Sequence, residues 1–443
     1  MIVKKNKFSL FFIVFFLLNL DVFSQSILDF DSEINYLFNS NQFVKAEIKL
    51  NDLKSKKKYE EYRFDIDYTI ALCCLKINNE IKLKKAKSIF KRIIKNKRLK
   101  NSVHHNSSLF FYAEVLHKLN ELDSALVYYE KFKRTNKNNI EYDLNIASCK
   151  FAIDTTNENK KYNLLKSNFN SFQDDFATCY LNENNSLLIF TSNRKRIKEN
   201  NKINNYSKLN FYLTRFNDKK TKWSKPEILT FLESNIVMVS DPTFNFFNNK
   251  IYFSSLENIN IRKDNKIGKY KIFTAIKNKD NWEKPKVVPL PYDNISDFKS
   301  PFITDDGNTL YFSSDIKGGY GGFDIWMIKK IGNNKWSLPI NLGNKINTNK
   351  DELYPFKSSK NTLYFSSNGH VGIGGFDIYE AKIDEFNNIS SISNMKRPIN
   401  STNNDIAIVF EKNGKYGYLS SNRIGSKNYD IYKILIDDNI NKK

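Results

Sequence analysis

A short β-forming segment recurs five times in the second half of this 443-residue chain. The copies end in Phe-Ser-Ser or a close variant of it: Leu188–Ser192, Ile251–Ser255, Leu310–Ser314, Leu363–Ser367 and Tyr418–Ser421. Counted on Phe190, Phe253, Phe312, Phe365 and Leu419, they lie 63, 59, 53 and 54 residues apart. Self-similarity at such a period indicates stacked units, none of which can bury its hydrophobic face alone.

Each copy continues into further strand-like segments. A second β-forming run follows every copy, at Asn210–Tyr212, Lys271–Phe273, Asp324–Trp326, Asp377–Tyr379 and Asp430–Tyr432. Three copies then close with Trp-x-x-Pro, at Trp223–Pro226, Trp282–Pro285 and Trp336–Pro339, and we interpret Arg397-Pro398 as its remnant in the fourth. Short aromatic and β-branched strands separated by turn residues at this spacing predict radial stacking into a β-propeller.

The two ends of the repeat region predict how the propeller closes. The fifth copy ends at Ile436 without a Trp-x-x-Pro strand, whereas Tyr162–Phe169 precedes the first copy, where such a strand is expected. We predict that this segment completes the last blade and that the propeller has five blades. A sixth blade would require a strand pair hidden in the insertion Lys195–Lys208.

The first half of the chain repeats with the pattern of paired helices. Ala46, Ala86 and Ala125 are spaced by 40 and 39 residues, and each has apolar residues three before, four after and seven after it. Those offsets share one face of an α-helix, with a small residue where a neighbouring helix approaches closely. Amphipathic stretches precede each of these helices, and a closing helix follows the third: Ile34–Phe38, Tyr62–Ile77 and Leu109–Leu119, then Asn139–Ile153. The pattern predicts a short α-helical solenoid.

The N-terminus has the features of a signal peptide. Lys4, Lys5 and Lys7 precede the apolar run Phe8–Leu20, and small residues stand near Ser24. We predict a signal peptide over residues 1–24 with cleavage after Ser24. The domains then follow as helical repeats over residues 25–160 and the propeller over residues 161–443. The apolar run is shorter than the roughly 20 residues that a membrane span needs. We therefore expect an exported protein, periplasmic or outer-membrane-associated, with no transmembrane segment in the mature chain.

Positive charge is concentrated in one stretch. The chain carries a net charge of +22, and residues 81–100 hold ten basic residues and no acidic one. The residues of this basic patch are Lys84, Lys85, Lys87, Lys91, Arg92 and Lys95. The patch is either the solvated face of an amphipathic helix or a surface that attracts an acidic envelope polymer. Nucleic acid is not an expected partner of an exported protein.

Recognised catalytic signatures are missing. The sequence has no G-x-S-x-G, H-E-x-x-H, paired C-x-x-C or G-x-x-x-x-G-K-[ST] motif. The four histidines are scattered, and a bridge between Cys149 and Cys179 is left open by the sequence. We expect no enzyme activity, no cofactor and no metal site.

Two Gly-rich loops, Lys317–Gly322 and Gly369–Gly375, are the most distinctive local feature. One interpretation is a ligand or cation site, with Asp315, Gly318, Gly319, Gly321, Gly322, Asp324, Asp377 and Asp430 as candidate residues. The other is a tight hairpin in which the Asp caps backbone amides. A similar choice applies to the alternating aromatics, which are either blade core or platforms for sugar rings: Tyr311, Phe312, Trp326, Tyr364, Phe365 and Tyr379.

Two segments resemble known repeat families. Phe111–Phe132 (FYAEVLHKLNELDSALVYYEKF) resembles a tetratricopeptide repeat. Ser300–Lys330 and Tyr354–Lys382 closely resemble the WD40-like, TolB-like (PD40-type) repeat of bacterial envelope propellers. The order of the segments is similar to that of OmpA-family envelope proteins associated with type IX secretion and gliding, although the sequence holds no OmpA-like domain.

This resemblance implies a noncatalytic protein-protein interaction scaffold or adaptor whose partners are other envelope proteins. Without an OmpA-like domain we expect an adaptor or accessory role and not the fixing of a complex to the cell wall. The alternative is a carbohydrate-binding or carbohydrate-active propeller that uses carboxylates at its central mouth.

Overall fold

The structure is a computed structural model that describes residues 32–100, 102–136, 141–154, 158–194, 209–229, 237–247, 249–256, 268–279, 281–291, 295–332, 335–384, 388–426 and 428–437. A region of seven helices precedes a five-bladed β-propeller, which confirms the predicted fold class. The chain divides into two compact units, Met1–Ile146 and Ala147–Lys443. The predicted signal peptide and the insertion Lys195–Lys208 lie outside the described residues.

The helices follow the predicted pairs. Their bounds are α1 Ser32–Asn39, α2 Phe43–Ser55, α3 Arg63–Ile77, α4 Glu80–Lys95, α5 Val103–Lys118, α6 Leu122–Thr135 and α7 Glu141–Ile153. Ala46, Ala86 and Ala125 are fully buried on α2, α4 and α6, as the repeated spacing predicts. Asn79 and Ser102 cap α4 and α5, since each side chain accepts a hydrogen bond from the backbone amide three residues on.

The division between the two units falls inside α7, before the predicted domain boundary at residue 160. The Gly372 amide donates to Ser148 Oγ over 3.3 Å, and Arg397 Nη2 donates to the Ala152 carbonyl over 3.3 Å. These bonds lie within the second unit. The last residues of α7 therefore belong with the propeller.

Five antiparallel sheets form the blades, each with its first strand innermost. Their strands are, in chain order, β2 Asp175–Tyr180, β3 Leu187–Ser192, β4 Asn210–Asn217, β5 Lys222–Trp223 and β6 Glu227–Ile228; β7 Val237–Asn245, β8 Lys250–Leu256, β9 Tyr270–Asn278, β10 Asn281–Trp282 and β11 Lys286–Val287; β12 Phe298–Ile303, β13 Thr309–Ser314, β14 Asp324–Gly332, β15 Lys335–Trp336 and β16 Ile340–Asn341; β17 Glu352–Lys357, β18 Thr362–Ser367, β19 Asp377–Ile383 and β20 Ile389–Asn394; and β21 Asp405–Phe410, β22 Tyr416–Ser421 and β23 Asp430–Ile436. We number the blades 1 to 5 in this order.

The fifth blade takes its outer strand from the start of the propeller. Strand β1, Tyr162–Lys166, pairs antiparallel with β23, and Leu164 lies opposite Ile434. This confirms the predicted closure and the count of five blades over the described residues. Because the first strand of the chain completes the last sheet, the ring is held shut by backbone hydrogen bonds.

The hydrophobic core consists of layers between the blades. Successive side chains of a strand point to opposite faces of its sheet. On β8, Tyr252 therefore packs in the cluster of blade 3 with Phe312, whereas Phe253 packs in the cluster shared with blade 1. The aromatics that could have been sugar platforms fill such layers: Tyr311, Phe312, Trp326, Phe365 and Tyr379 are buried, and Tyr364 is partly buried against the blade-5 cluster.

One expectation about the outer strands is wrong. Trp336 of the third copy lies opposite Lys330, and the equivalent residue of the fourth copy is Ile389, which lies opposite Ile383. Arg397-Pro398 comes after β20 has ended. The fourth blade forms a regular six-residue outer strand in place of the two short pieces that flank the proline elsewhere, so no Trp-x-x-Pro remnant is present there.

All four cysteines, Cys73, Cys74, Cys149 and Cys179, are buried thiols that form no disulfide within the described part of the chain. Along the described part of the chain, no helix combines the length and the apolarity needed to cross a membrane.

Candidate functional site

The Gly-rich loops end in aspartates that bind the loop itself. Asp324 accepts hydrogen bonds from the amides of Tyr320, at 2.6 Å, and Gly321, at 3.2 Å. Asp377 accepts bonds from the amides of Ile373 and Gly374 in the same way. Each carboxylate also accepts a bond from an Asn side chain, of Asn341 or Asn394, on the outer strand. These are the bonds of the capped hairpin, one of the two interpretations of the sequence.

The glycines of these loops lie where two blades meet. A Cβ added at Gly321 would come within 3.0 Å of the carbonyl oxygens of Thr348 and Lys350 in the next blade. A Cβ at Gly374 would meet the carbonyls of Ser401 and Asn403 in the same manner. Gly is needed at both positions because the backbones of adjacent blades approach too closely for a side chain.

The structure also places the remaining candidate residues. Gly322 faces the Asp351 side chain, Gly319 faces Asp324, and Gly318 is in open space with a φ of +95°. Asp315 Oδ1 accepts the Asp297 amide at 2.7 Å, and Asp430 forms an ion pair of 2.7 Å with Lys166. Among the described residues, no group of three or more His, Cys, Asp or Glu side chains could hold a metal ion.

The residue before each of these aspartates links one blade to the next. The Phe323 amide donates to Asp351 Oδ1 over 3.0 Å, and the Phe323 carbonyl accepts the Glu352 amide at 2.6 Å. Phe376 makes the equivalent pair of bonds with Asn404 and Asp405. The loop motif Gly-Gly-Phe-Asp is thus a joint between blades.

The Ser-Ser ends of the repeated strand form a second joint. In blades 1, 2 and 5 its first hydroxyl accepts a hydrogen bond from a backbone amide of the innermost strand of the following blade. The pairs are Thr191 with Asp241 at 3.2 Å, Ser254 with Ser300 at 2.9 Å, and Ser420 with Ala177 at 3.0 Å. The motif that revealed the repeat is therefore also structural.

The innermost strands surround a cavity on the propeller axis. Its volume is about 140 Å³, and all five blades contribute to its walls, through Ala177–Tyr180, Asp241–Phe244, Ser300–Ile303, Tyr354–Ser359 and Ala407–Lys412. Each strand bends at a non-glycine residue with positive φ: 51° at Ala177, 56° at Asp241, 49° at Ser300, 54° at Tyr354 and 53° at Ala407. Such bends change the direction of a strand locally, and together the five bends shape the cavity.

The mouth of this axial cavity lies at the end where the innermost strands finish. The turns that follow these strands contribute Glu183, Asp305, Glu411 and Lys412 to its lining. The Gly-rich loops precede β14 and β19, and antiparallel pairing places them at the end where the innermost strands begin. The structure therefore separates the sequence-predicted ligand residues from the axial mouth.

Three innermost strands begin with a buried carboxylate. In blades 1 and 5, Asp175 and Asp405 pair with Arg194 and Arg423 at 2.7 Å and 2.6 Å. In blade 4, burial raises the pKa of Glu352 to about 7, although the Ser367 and Thr348 side chains and the Thr348 amide partly offset it. All three side chains are 0% exposed.

Asp241 is a further buried carboxylate of the cavity wall. Its Oδ2 accepts bonds from the Ser300 amide at 3.2 Å and from the Ser300 hydroxyl at 3.1 Å. Its Oδ1 is buried and has no hydrogen-bond partner among the residues that the structure describes. Burial raises the pKa of Asp241, and the hydroxyls of Ser300 and Ser240 offset the increase only in part.

A lysine spans the mouth of the axial cavity. Lys412 Nζ lies 5.0 Å from the ring centroid of Phe246 and 3.5 Å from Asp305 Oδ2. Sequence reasoning considered a central mouth but assigned neither Lys412 nor Phe246 to it, because both stand in turns with no shared motif. The Pro-Phe pairs that do mark the innermost strands, at Pro301-Phe302 and Pro355-Phe356, are the one signal that could have indicated it.

The basic patch of the helical unit is partly neutralised. Lys84 pairs with Glu80 and Lys87 with Glu121, both at 2.6 Å, and Lys85 pairs with Glu47 at 2.8 Å. Arg92 pairs with the buried Asp67. Within the described residues, Lys91 and Lys95 are exposed and make no ion pair.

Buried Glu47 explains why part of the patch is structural. Burial acts to raise its pKa, but the hydrogen bonds from Lys82 and Lys85 outweigh burial and lower the pKa. These lysines of α4 thus compensate a buried charge on α2.

Neither a protein-family model nor a curated protein matches the sequence. Solved structures match the propeller at low identity. A protein of unknown function from Dyadobacter fermentans DSM 18053 is 8% identical with a TM-score of 0.39, over 63% of this chain and 100% of that chain. TolB from Acinetobacter baumannii is 12% identical with a TM-score of 0.34, over 60% of this chain and 55% of that chain. An alpha-L-arabinofuranosidase from Lactobacillus brevis is 9% identical with a TM-score of 0.41, over 61% and 94%. The resemblance to TolB and glycosidase propellers is one of fold.

Proposed function

We propose that this protein is a noncatalytic interaction scaffold or adaptor of the bacterial cell envelope, accessory to type IX secretion or gliding machinery. The observation that carries the proposal is the state of the repeated carboxylates. Asp324 and Asp377 are occupied by loop amides, and Asp175 and Asp405 by arginines. These four carboxylates hold the blades and their loops together.

Chemical requirements support the noncatalytic interpretation. Hydrolysis of a glycosidic bond needs two carboxyl groups that flank the bond, one to donate a proton and one to act as base or nucleophile. Both must reach the substrate. Glu352, whose raised pKa would suit a general acid, is fully buried and accepts bonds from Thr348 and Ser367.

The two repeat regions offer surfaces suited to partner proteins. Stacked helix pairs present extended, preformed faces, and a rigid face loses little entropy on binding. The propeller adds a ring closed by β1 and an axial cavity lined by all five blades. The envelope location follows from the predicted signal peptide and from the resemblance of the repeats to those of envelope propellers.

The experiment is co-purification of the full-length protein from crosslinked envelope fractions, beside binding to a glycan array. The proposal predicts that one or a few protein partners are recovered in a fixed ratio to this protein. A weak complex would be recovered only after crosslinking. Glycan binding without any protein partner, or turnover of a glycoside that Glu352→Gln abolishes in a folded protein, would overturn it.

A further inference from the structure

The side chain of Lys412 reaches across the axial channel. Lys412 belongs to blade 5, whereas Phe246 and Asp305 belong to blades 2 and 3. In a ring of five, blade 5 adjoins only blades 1 and 4. The ammonium group therefore occupies a position between an aromatic ring and a carboxylate on the far side of the mouth.

The surroundings of this ammonium group are acidic in a basic protein. The cavity lining holds four carboxylates, Glu183, Asp241, Asp305 and Glu411, against two lysines, Lys357 and Lys412. The chain as a whole carries +22. The axial mouth is thus a local exception that attracts a cation.

Part of the wall below the mouth is aromatic. Phe302, Phe356 and Phe410 come from three consecutive blades, and the ring of Phe356 lies 5.2 Å from that of Phe302 and 6.4 Å from that of Phe410. A cavity of about 140 Å³ admits a single side chain but not an α-helix, whose diameter is about 10–12 Å. At the mouth, a carboxylate beside an aromatic ring matches a cation.

From this arrangement we propose that the axial cavity binds a primary alkylammonium group, supplied by a lysine side chain of a partner protein, and that Lys412 is the internal occupant which the ligand displaces. The ligand ammonium takes the place of Lys412 Nζ between Phe246 and Asp305, and its stem leads outward through the mouth to the partner. This inference deepens the proposed function. It rests on that function only for the statement that the ammonium group belongs to a protein.

Displacement of Lys412 is feasible because its present contacts are weak. The Lys412 and Asp305 side chains are 51% and 63% exposed. Exposed ion pairs contribute little to stability, since solvent screens the attraction and two long side chains must be ordered.

The test is calorimetric titration of the full-length protein with n-pentylamine, with 1-pentanol as the uncharged analogue. Lys412→Met removes the competing ammonium group from the mouth, and we expect this variant to bind n-pentylamine about tenfold more tightly than the unaltered protein, equivalent to about 1.4 kcal/mol. Lys357→Met is the matched control, because it removes the same charge from the lining but leaves Lys412 in place. Adding Asp305→Asn or Phe246→Leu to Lys412→Met should cancel the gain.

Two results would overturn the inference. One is an equal effect of Lys412→Met and Lys357→Met on the affinity for n-pentylamine, because the change in affinity would then come from net charge alone. The other is equal binding of 1-pentanol and n-pentylamine. Thermal melting of every variant checks that the rim substitutions leave the propeller folded.

The source of the ammonium group is tested separately with cadaverine and a blocked tripeptide, acetyl-Gly-Lys-Gly-amide. Tighter binding of the tripeptide supports a lysine side chain, and tighter binding of cadaverine contradicts it in favour of a free polyamine. Binding of alkylammonium ligands without any envelope protein partner would contradict the proposed function but not the presence of an ammonium site. A protein partner that binds Lys412→Met, Asp305→Asn and unaltered protein equally would sink this inference alone.

Discussion

Glu352 Oε1 accepts a 2.7 Å hydrogen bond from Ser367 Oγ at a place where the equivalent carboxylates of two other blades meet an arginine. Blade 4 has Gly369 where blades 1 and 5 have Arg194 and Arg423. An added Cβ at Gly369 would collide with the Thr348 side chain. Among the described residues, Glu352 is therefore the one of these three buried carboxylates that lacks a cationic partner.

We expect this difference to appear in the pH dependence of stability. The folded-state pKa of Glu352, about 7, lies above the ordinary value of 4.5, so the folded protein binds the proton more tightly than the unfolded chain. The favourable contribution is complete below pH 4.5 and is lost as the pH rises to 7. Glu352→Gln should raise the free energy of unfolding at pH 8 by roughly 1–3 kcal/mol and leave it nearly unchanged at pH 4.5.

Urea unfolding between pH 4.5 and 8 measures this effect, and Asp405→Asn is its matched control. Asp405 pairs with Arg423, so its replacement should lower stability at pH 8. If Glu352→Gln is less stable than the unaltered protein at pH 8, the uncompensated charge is not what limits blade 4.

The joint between blades makes a prediction at Gly321. A Cβ there meets backbone carbonyls of the next blade, which cannot move aside as a side chain can. Gly321→Ala should destabilise the propeller by about 1–3 kcal/mol in chemical denaturation. Gly332→Ala, where the nearest atom is 3.9 Å away, should change stability by less than about 0.5 kcal/mol. Equal effects would show that the close approach at Gly321 is not tight.

Closure of the ring makes a prediction at β1. Tyr162 is buried in the cluster with Ile378, Leu419 and Tyr432, whereas Leu165 of the same strand is 53% exposed. Tyr162→Ala should lower the free energy of unfolding by about 3 kcal/mol, and Leu165→Ala by less than about 0.5 kcal/mol. Similar small losses for both would mean that β1 is dispensable for the closed ring.

The basic patch predicts two separable effects. Lys91 and Lys95 are exposed and make no ion pair within the described residues. Replacing both with Ala should weaken binding to heparin, which serves as the probe for an acidic polymer, and leave the melting temperature unchanged. Lys85 and Arg92 neutralise buried acids, so their double Ala variant should cost about 1 kcal/mol or more of stability. Heparin binding that depends on neither pair would remove the patch as a polyanion site.

Much of the architecture could be predicted because it depends on local periodicity. Phe253 and Phe312 mark strands whose alternating side chains must face two neighbouring blades, and Ala86 and Ala125 mark helices at a fixed spacing. Closure by Tyr162–Phe169 followed from counting strands. These inferences needed only the repeat and the preferences of strands and helices.

The candidate site was not predictable in the same way. The bends that shape the axial cavity fall on unlike residues, such as Ala177, Asp241 and Tyr354, because blade packing imposes the positive φ and the residue type does not. Lys412 meets Phe246 only once the ring has closed. The glycines of the loops were visible in the sequence, but their close approach to the next blade depends on the same closure.

The central claim is that this propeller works by holding a partner at its axial mouth. It is tested most directly by photo-crosslinking in intact cells with a benzophenone amino acid. One variant carries it at Phe247, an exposed residue of the turn beside Phe246, and the control carries it at Leu338, an exposed residue at the outer edge of blade 3. The account predicts a discrete protein adduct at Phe247, reduced by Asp305→Asn, and none at Leu338. Adducts of equal yield at both positions, or an adduct at Leu338 alone, would contradict it.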